Sequence, residues 1–409
     1  MVLKIAAEDS PSSATLDEVC MVLVREYNEE SDKVAVEEME RLCEMAGQRG
    51  GKQPSLVTDL LGDPKCRIRH FPTHIMLVAV YGEQKEIVGV IMGCVKKVTR
   101  GNSVFVKLGY ILGLRVSPMH RRLGIGTKLV KHLEEWCKQK GAEYAYMATD
   151  CTNEASINLF TLKCSYQKFR TPTILVQPVH AHYKPVPSTI AIVRLPACLA
   201  ESIYRQIYAN SEFFPEDIDA ILSSALNLGT FMALPRKYLL KWDPKKSTFP
   251  PRSAFAILSV WNTKQVFKLQ VKGVSKLTQA CCVGSRLVDA WLPWLRLPSF
   301  PNVFNQFGVY FMYGLHADQG KHGLRLMKGL CNFVHNVGRD DHGCAAVVAE
   351  VSQRDPVREA IPHWTKLSWA EDMWCVKKLT EAKQGLSSPS DWINSRPSSP
   401  MIFVDPRDF

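Results

Sequence analysis

The sequence predicts an α/β protein with mixed α+β sheets, built as two tandem halves. Three observations carry this. β-rich runs alternate with amphipathic helical stretches along the whole chain. The 409 residues, 46% of them hydrophobic, suffice for more than one core. The order of elements across residues 20–177 returns across 189–380, without letter-for-letter identity, after a stiff stretch at 178–188 marked by Pro178, Pro185 and Pro187. A polar leader at 1–19 and a Ser/Pro-rich tail at 381–409 complete the division.

Residues 21–25 read as the first strand. Ser31 and Asp32 offer an N-cap to a helix whose Val34, Val36, Met39 and Leu42 share one face. A Gly-rich break at 47–51 leads to an apolar segment at 56–61, read as a second helical piece and ended by Asp63 and Pro64. Residues 73–80 and 86–96 form two β-rich runs around a hairpin turn at 81–85, and 107–116 is a fourth strand. Ile125, Leu129, Leu133 and Trp136 then mark a helix that stops near Gly141. Residues 144–148 read as a buried strand, 153–160 as a short helix, and 166–176 as two more strands around Pro172.

In the second half, 191–195 and 200–209 repeat strand then helix, 214–226 repeats the second helical piece, and 229–234 with 254–261 repeat the hairpin. Residues 310–314 stand where the fourth strand stood. A helix with Leu324, Met327, Leu330 and Val334 on one face follows Gly320 and Gly323, and 345–351 supplies the next strand. Residues 374–379 have no following strand until the β-favouring run 401–404. The tail is therefore expected to make a long loop over 380–400 and to add 401–404 as a strand to the second half's sheet.

Thirteen cysteines show no CxxC pair and His70, His74, His120 and His132 no ligand spacing, so neither a metal site nor a disulfide framework is expected. The apolar runs are too short for a membrane span and residues 1–19 lack a signal-peptide pattern, so an intracellular protein, nuclear or cytoplasmic, is expected. The formal charge of +11 favours anionic partners, yet no long basic run occurs, and nucleic acid is not expected as a direct ligand. The same charge disfavours very basic acceptors unless acidic residues cluster locally. Trp291, Trp294, Trp364, Trp369 and Trp374 read as core residues of the second half.

The chemistry points to "RVSPMHRRLGIGTKLVKHLEEW", residues 115–136. A strand that turns into a helix N-terminus presents unpaired amides and the positive end of a dipole, which suits phosphate. Gly124 and Gly126 let oxygens approach the main chain, and Arg121 and Arg122 add charge. With Asn153 after the next strand, this loop resembles the acetyl-coenzyme A signature of the GNAT superfamily. "LGLRVSPMHRRLGIGTKLV", "NLFTLKCSYQKFRTPTILV", "EFFPEDIDAIL", "LGTFMALP" and "IFVDPRDF" resemble the plant hookless-like N-acetyltransferases over nearly the whole chain.

That resemblance implies tandem GNAT-like folds, the second degenerate, with acetyl-CoA as cosubstrate and no metal. It implies cofactor contacts from Leu114, Arg115, Val116, Arg121, Arg122, Leu123, Gly124, Ile125, Gly126, Thr127, Asn153 and Asn158. It also implies acetyl transfer to a primary amine, a protein lysine or a small molecule, by direct attack in a ternary complex. One position departs from the family: Phe160 stands where a tyrosine often protonates the leaving thiolate. Tyr166 and Cys164 are the nearby substitutes, and Asp59, Asp63, Glu83 and Asp150 the remaining candidates for a base. Each of these carboxylates also suits a cap, a turn or a solvated charge. The alternative function is an acetyl-CoA-binding regulatory protein with little turnover. A third, a basic nucleic-acid binder, expects steeply salt-dependent DNA affinity.

Overall fold

Local signals place most strands of the first half. The computed structural model describes residues 22–48, 55–239, 254–292, 294, 299, 301–365, 368, 372–380, 392–395 and 399–409; the expected leader and most of the 380–400 loop lie outside them. Strand β1 (Val22–Glu26) enters α1 (Glu29–Gln48). The cap of α1 is Asn28, whose side chain accepts from the amides of Glu30 at 2.9 Å and Ser31 at 3.2 Å, rather than the expected Ser31 and Asp32. Asp32 sits within the first turn and takes both guanidinium arms of Arg25, at 2.5 and 2.9 Å, so its carboxyl is held at about 2.

The segment read as a second helical piece is strand β2 (Ser55–Asp59). It pairs with β13 (Lys268–Lys272), a partner more than 200 residues away that no local signal announces. A tight turn then joins β3 (His74–Tyr81) to β4 (Glu86–Arg100), with Tyr81 opposite Glu86. Strand β5 (Phe105–Val116), α2 (Ile125–Gln139), β6 (Tyr144–Asp150), α3 (Glu154–Asn158) and β7 (Gln167–Arg170) follow. Helix α2 buries Ile125, Leu129, Val130, Leu133 and Cys137 against the sheet, worth about 1.5–3 kcal/mol for each large side chain. The glycines of β4 admit it: a Cβ at Gly93 would lie 2.8 Å from Leu133 Cδ1.

The second half repeats the plan with β9 (Ile190–Leu195), α4 (Ala197–Ile207), β11 (Asn227–Pro235), β12 (Ala256–Asn262), β14 (Gly308–Ala317), α8 (Lys321–Arg339) and β15 (Cys344–Val351). Between these lie β10 (Glu212–Pro215), α5 (Ile218–Ser223), α6 (Arg236–Leu239) and α7 (Lys276–Trp291). The expected helical piece at 214–226 thus opens as a strand, and β10 pairs with β4 of the first sheet.

The sheets exchange strands. Strand β8 (Thr173–Pro178), read as the close of the first half, pairs antiparallel with β15. Strand β16 (Asp372–Lys378), from the end of the second half, pairs with β6 and β7. The orders are β1-β3-β4-β5-β6-β16-β7, with β10 paired to β4, and β9-β11-β12-β14-β15-β8, so the first sheet takes β16 into its interior and β10 beside β4 from the second half, and the second takes β8 at its edge from the first. A division at 177 therefore cuts the sequence but not the sheets. The Pro-marked stretch is also strapped down: the His180 amide donates to His335 Nε2 and the Lys184 amide to Asn336 Oδ1 on α8.

The tail finds its expected slot taken. Because β8 already covers β15, residues 401–404 dock between the halves, where Ile402 makes a single parallel bridge to Glu212 of β10. Phe403 and Val404 are buried, and the buried Asp405 pairs with Arg407 at 2.8 Å, which also grips Asp217 at 2.7 Å. Deeper, the Asp408 carboxylate meets the buried Lys96 ammonium and the Tyr146 hydroxyl, each at 2.5 Å. Burial opposes the Lys96 charge, but Asp408 and Asp405 outweigh it and hold its pKa above the usual lysine value. Among the tryptophans, Trp374 is buried as expected, whereas Trp291 and Trp294 are 81% and 71% exposed; Trp369 lies outside the described residues.

Candidate functional site

A gap in strand pairing creates the site. Strands β5 and β6 run parallel and pair from Leu108 with Tyr144 to Ile111 with Met147, then part. Beyond Ile111, β5 stays bonded to β4 through a bulge, with Gly113 at φ +63°. A wedge opens between β5 and β6, leaving one edge of β5 free at Leu114, Arg115 and Val116.

The wedge leads to the N-terminus of α2. Its N-cap is Gly124 at φ +75°, and no side chain caps the first turn. Only glycine takes that conformation without strain, and its missing side chain leaves the helix amides open. A Cβ at Gly126 would lie 3.3 Å from Leu159 Cδ2, so this position has no room to spare. Arg121 and Arg122 are exposed beside it, the latter itself at φ +68°.

A cavity of about 1240 Å³ joins these parts. Every expected cofactor contact except Leu123 lines it, including Asn153 and Asn158 from across the wedge. Leu123 is 57% exposed and turns away from the lining. Asn153 Oδ1 accepts from the Ser156 amide at 3.2 Å and so caps α3. The residues present fit a pyrophosphate-bearing ligand: open helix amides, two arginines, and a rim of Lys128, Lys131 and Lys163 that sequence reading passed over. The α2 lysines had a signal, since they fall on the face opposite the apolar stripe. Cys43 of α1, whose thiol contacts the Val116 carbonyl at 3.4 Å, joins only through tertiary packing.

The four candidate catalytic residues lie apart from this cavity. Asp59 Oδ1 accepts from the Leu61 amide at 2.8 Å, and its other oxygen takes the Gln306 side chain. Asp63 accepts from the Lys65 amide at 3.1 Å and pairs with Arg69 at 2.5 Å. Asp150 accepts from the Thr152 amide and hydroxyl, both at 2.6 Å. Tyr166 is buried under α2 beside Glu134, with burial pushing its hydroxyl well above the usual range. Phe160 stacks edge-on against it at 5.1 Å, and burial likewise raises the Cys164 thiol. Among the described residues no His, Cys, Asp or Glu group is arranged to hold a metal ion. No described helix is long and apolar enough to cross a membrane.

The second half's wedge is closed. Strands β14 and β15 part after Met312 and Ala349, and Gly314 takes φ +61° as Gly113 does. Here Tyr208 donates its hydroxyl to the Leu315 carbonyl at 2.8 Å, and Tyr204 packs on Gly314. Only about 10 Å³ remains, room for about one water. At the mouth of α8, a Cβ on Gly323 would meet the Asp318 carbonyl oxygen at 1.9 Å, so that turn is folded on itself.

A splayed parallel pair feeding an uncapped helix defines a class, the GNAT-type acyltransferase fold, and the Acetyltransferase (GNAT) family model matches residues 39–166. Among solved structures, N-myristoyltransferase of Saccharomyces cerevisiae with bound myristoyl-CoA shares the fold with a TM-score of 0.55, at 11% identity over 99% of this chain and 91% of that one. A GCN5-related glucosamine N-acetyltransferase region of a fungal multi-domain GH3 β-N-acetylglucosaminidase does so with a TM-score of 0.52, at 14% identity over 87% of this chain and 38% of that chain. Probable N-acetyltransferase HLS1 of Arabidopsis thaliana is 48% identical over 95% of this chain and all of its own length. Acetyl transferase GW6a of Oryza sativa subsp. japonica is 39% identical over 95% of this chain and 98% of its own. The chain belongs to the hookless-like group of the GNAT acetyltransferases.

Proposed function

We propose that the protein transfers an acetyl group from acetyl-CoA to a primary amine by direct attack within a ternary complex. The observation that carries this is the open wedge ending at the uncapped N-terminus of α2. Leu114, Arg115 and Val116 would hold the pantetheine arm through the free edge of β5. Arg121, Arg122, Gly124, Ile125, Gly126 and Thr127 would hold the pyrophosphate, with Asn153 and Asn158 on the opposite wall. Acetyl-CoA supplies the activated acyl group; the protein contributes orientation and main-chain donors to the thioester carbonyl.

A second reading is a regulator that binds acetyl-CoA with little turnover. Phe160 favours it, because it is buried and has no proton for the leaving thiolate. Two measurements test these readings. Calorimetry of coenzyme A with Gly126→Trp is expected to show loss of binding, since the indole would strike Leu159 and fill the approach to the amides; unchanged affinity would place the cofactor elsewhere. Steady-state acetyl transfer to a panel of peptides, polyamines and small amines separates enzyme from regulator, the latter binding without turnover.

A further inference from the structure

The second sheet carries a cavity of about 490 Å³ at the end opposite its closed wedge. Cys344, the first residue of β15, lines this cavity. The closed wedge lies by Glu350 and Val351 at the other end of the same strand, about 20 Å away at about 3.3 Å per residue. No residue is shared with the cavity at the first wedge. Four stretches of chain meet here: the Pro-marked stretch from Val179 to His182, α7, the end of α8 with the turn after it, and residues 299 and 301.

The acids of this lining are already engaged, and its arginines are not. Asp289 is buried and accepts from His182 Nε2 at 2.7 Å and from the Ser299 hydroxyl at 2.8 Å. Asp341 accepts from the Lys264 ammonium and the Tyr310 hydroxyl. Arg286, half-buried on α7, has no ion pair or hydrogen bond among the described residues. Arg339 is held in place: its Nε donates to the Ala181 carbonyl, its Nη1 meets Asp340 at 2.6 Å, and its guanidinium lies 3.9 Å from the Tyr183 ring centre. Its Nη2 has no partner among the described residues. Because His182 donates through Nε2, its Nδ1 is left for another group. Burial and Lys184 lower the His180 pKa, so that ring stays neutral and serves as wall, bonded to the Ser299 main chain.

We propose that this cavity is a second ligand site, one that takes the phosphate group of a small phosphomonoester. Arg286 and the Nη2 arm of Arg339 supply permanently charged donors, and His182, oriented by Asp289, presents Nδ1 beside them. A phosphomonoester carries nearly two charges at neutral pH and three acceptor oxygens, which suits two arginines better than the single charge of a carboxylate. The volume is larger than the ion alone needs and falls in the range of small-molecule sites, which leaves room for the organic part of the ligand. The second half thus keeps a binding site of its own although its wedge is closed. This site does not depend on the acetyl-transfer reading.

The test is calorimetry of phenyl phosphate and of inorganic phosphate with the full chain saturated with coenzyme A, which blocks the helix amides of the first wedge. The same titration in Gly126→Trp, whose first wedge is filled, holds whether or not coenzyme A binds there. One phenyl phosphate per chain is expected in both, bound more tightly than inorganic phosphate. Arg286→Ala is expected to weaken it at least about tenfold, the loss of one charged hydrogen-bond donor. This variant breaks no contact of the fold, and Arg339→Lys, which keeps the charge and loses the fork, is expected to weaken binding less. A second readout is the His182 ring-proton signal, assigned by its loss in His182→Asn, which is expected to shift as phenyl phosphate is added. Equal affinity for the two probes would assign free phosphate and overturn the monoester. Absence of binding to the blocked proteins, or unchanged affinity in a folded Arg286→Ala protein, would overturn the site.

Discussion

Glu350 shows how one buried carboxyl costs the fold stability. Its folded pKa is raised, so below the unfolded value of about 4.3 both states hold the proton and the residue costs nothing. As pH rises past that value the unfolded chain ionises while the native state keeps its proton, and stability falls until the folded pKa is passed. The groups acting on it are Asp372 on β16 and Asp408 in the tail, with the Trp374 indole opposing. Glu350→Gln is therefore expected to raise the melting temperature relative to wild type at pH 8 and to lose that advantage near pH 4.5. Thermal melts across this range check it, and a pH-independent difference would contradict it.

At the scale of elements, the tail is a wedge of chain between two sheets rather than a strand on one. Its hold comes from buried charge: Lys96 is 5% exposed and meets Asp408 at 2.5 Å and Asp405 at 3.5 Å. Removing one partner of such a pair leaves the others uncompensated, typically at about 3–5 kcal/mol. Lys96→Met is expected to destabilise by that amount in denaturant titration. It should also turn slow amide exchange at Ile402, Phe403 and Val404 into fast exchange. Fast exchange at these amides in the wild-type protein would show that the tail is not docked.

For the whole molecule, duplication produced two wedges and tertiary packing kept one. The first opens to a cavity of about 1240 Å³, while Tyr204 of α4 and Tyr208 at its C-terminal cap fill the second. One coenzyme A per chain is the expected stoichiometry by calorimetry, and a value of two would mean that Tyr204 and Tyr208 move aside. The shared core explains why the halves are not modular. The first sheet borrows β16 and β10 and the second borrows β8, so neither half carries a complete sheet in its own sequence.

The sequence by itself determined the elements whose signals are local. Apolar spacing marked α2 and α8, a turn marked the β3–β4 hairpin, and glycines beside arginines marked the cofactor loop, because each is decided by residues within one or two turns of one another. Partner choice was left to the tertiary structure. Strand β8 reads the same whether it joins the first sheet or the second, since a buried strand shows only that it is buried. The same limit applies to buried charge. Asp150 and Asp372 lie more than 200 residues apart, each an ordinary charge in its own segment, and only the strand exchange that sets β16 beside β6 makes them neighbours. Desolvation acts on what surrounds a group in space, and the strand exchange decides those surroundings.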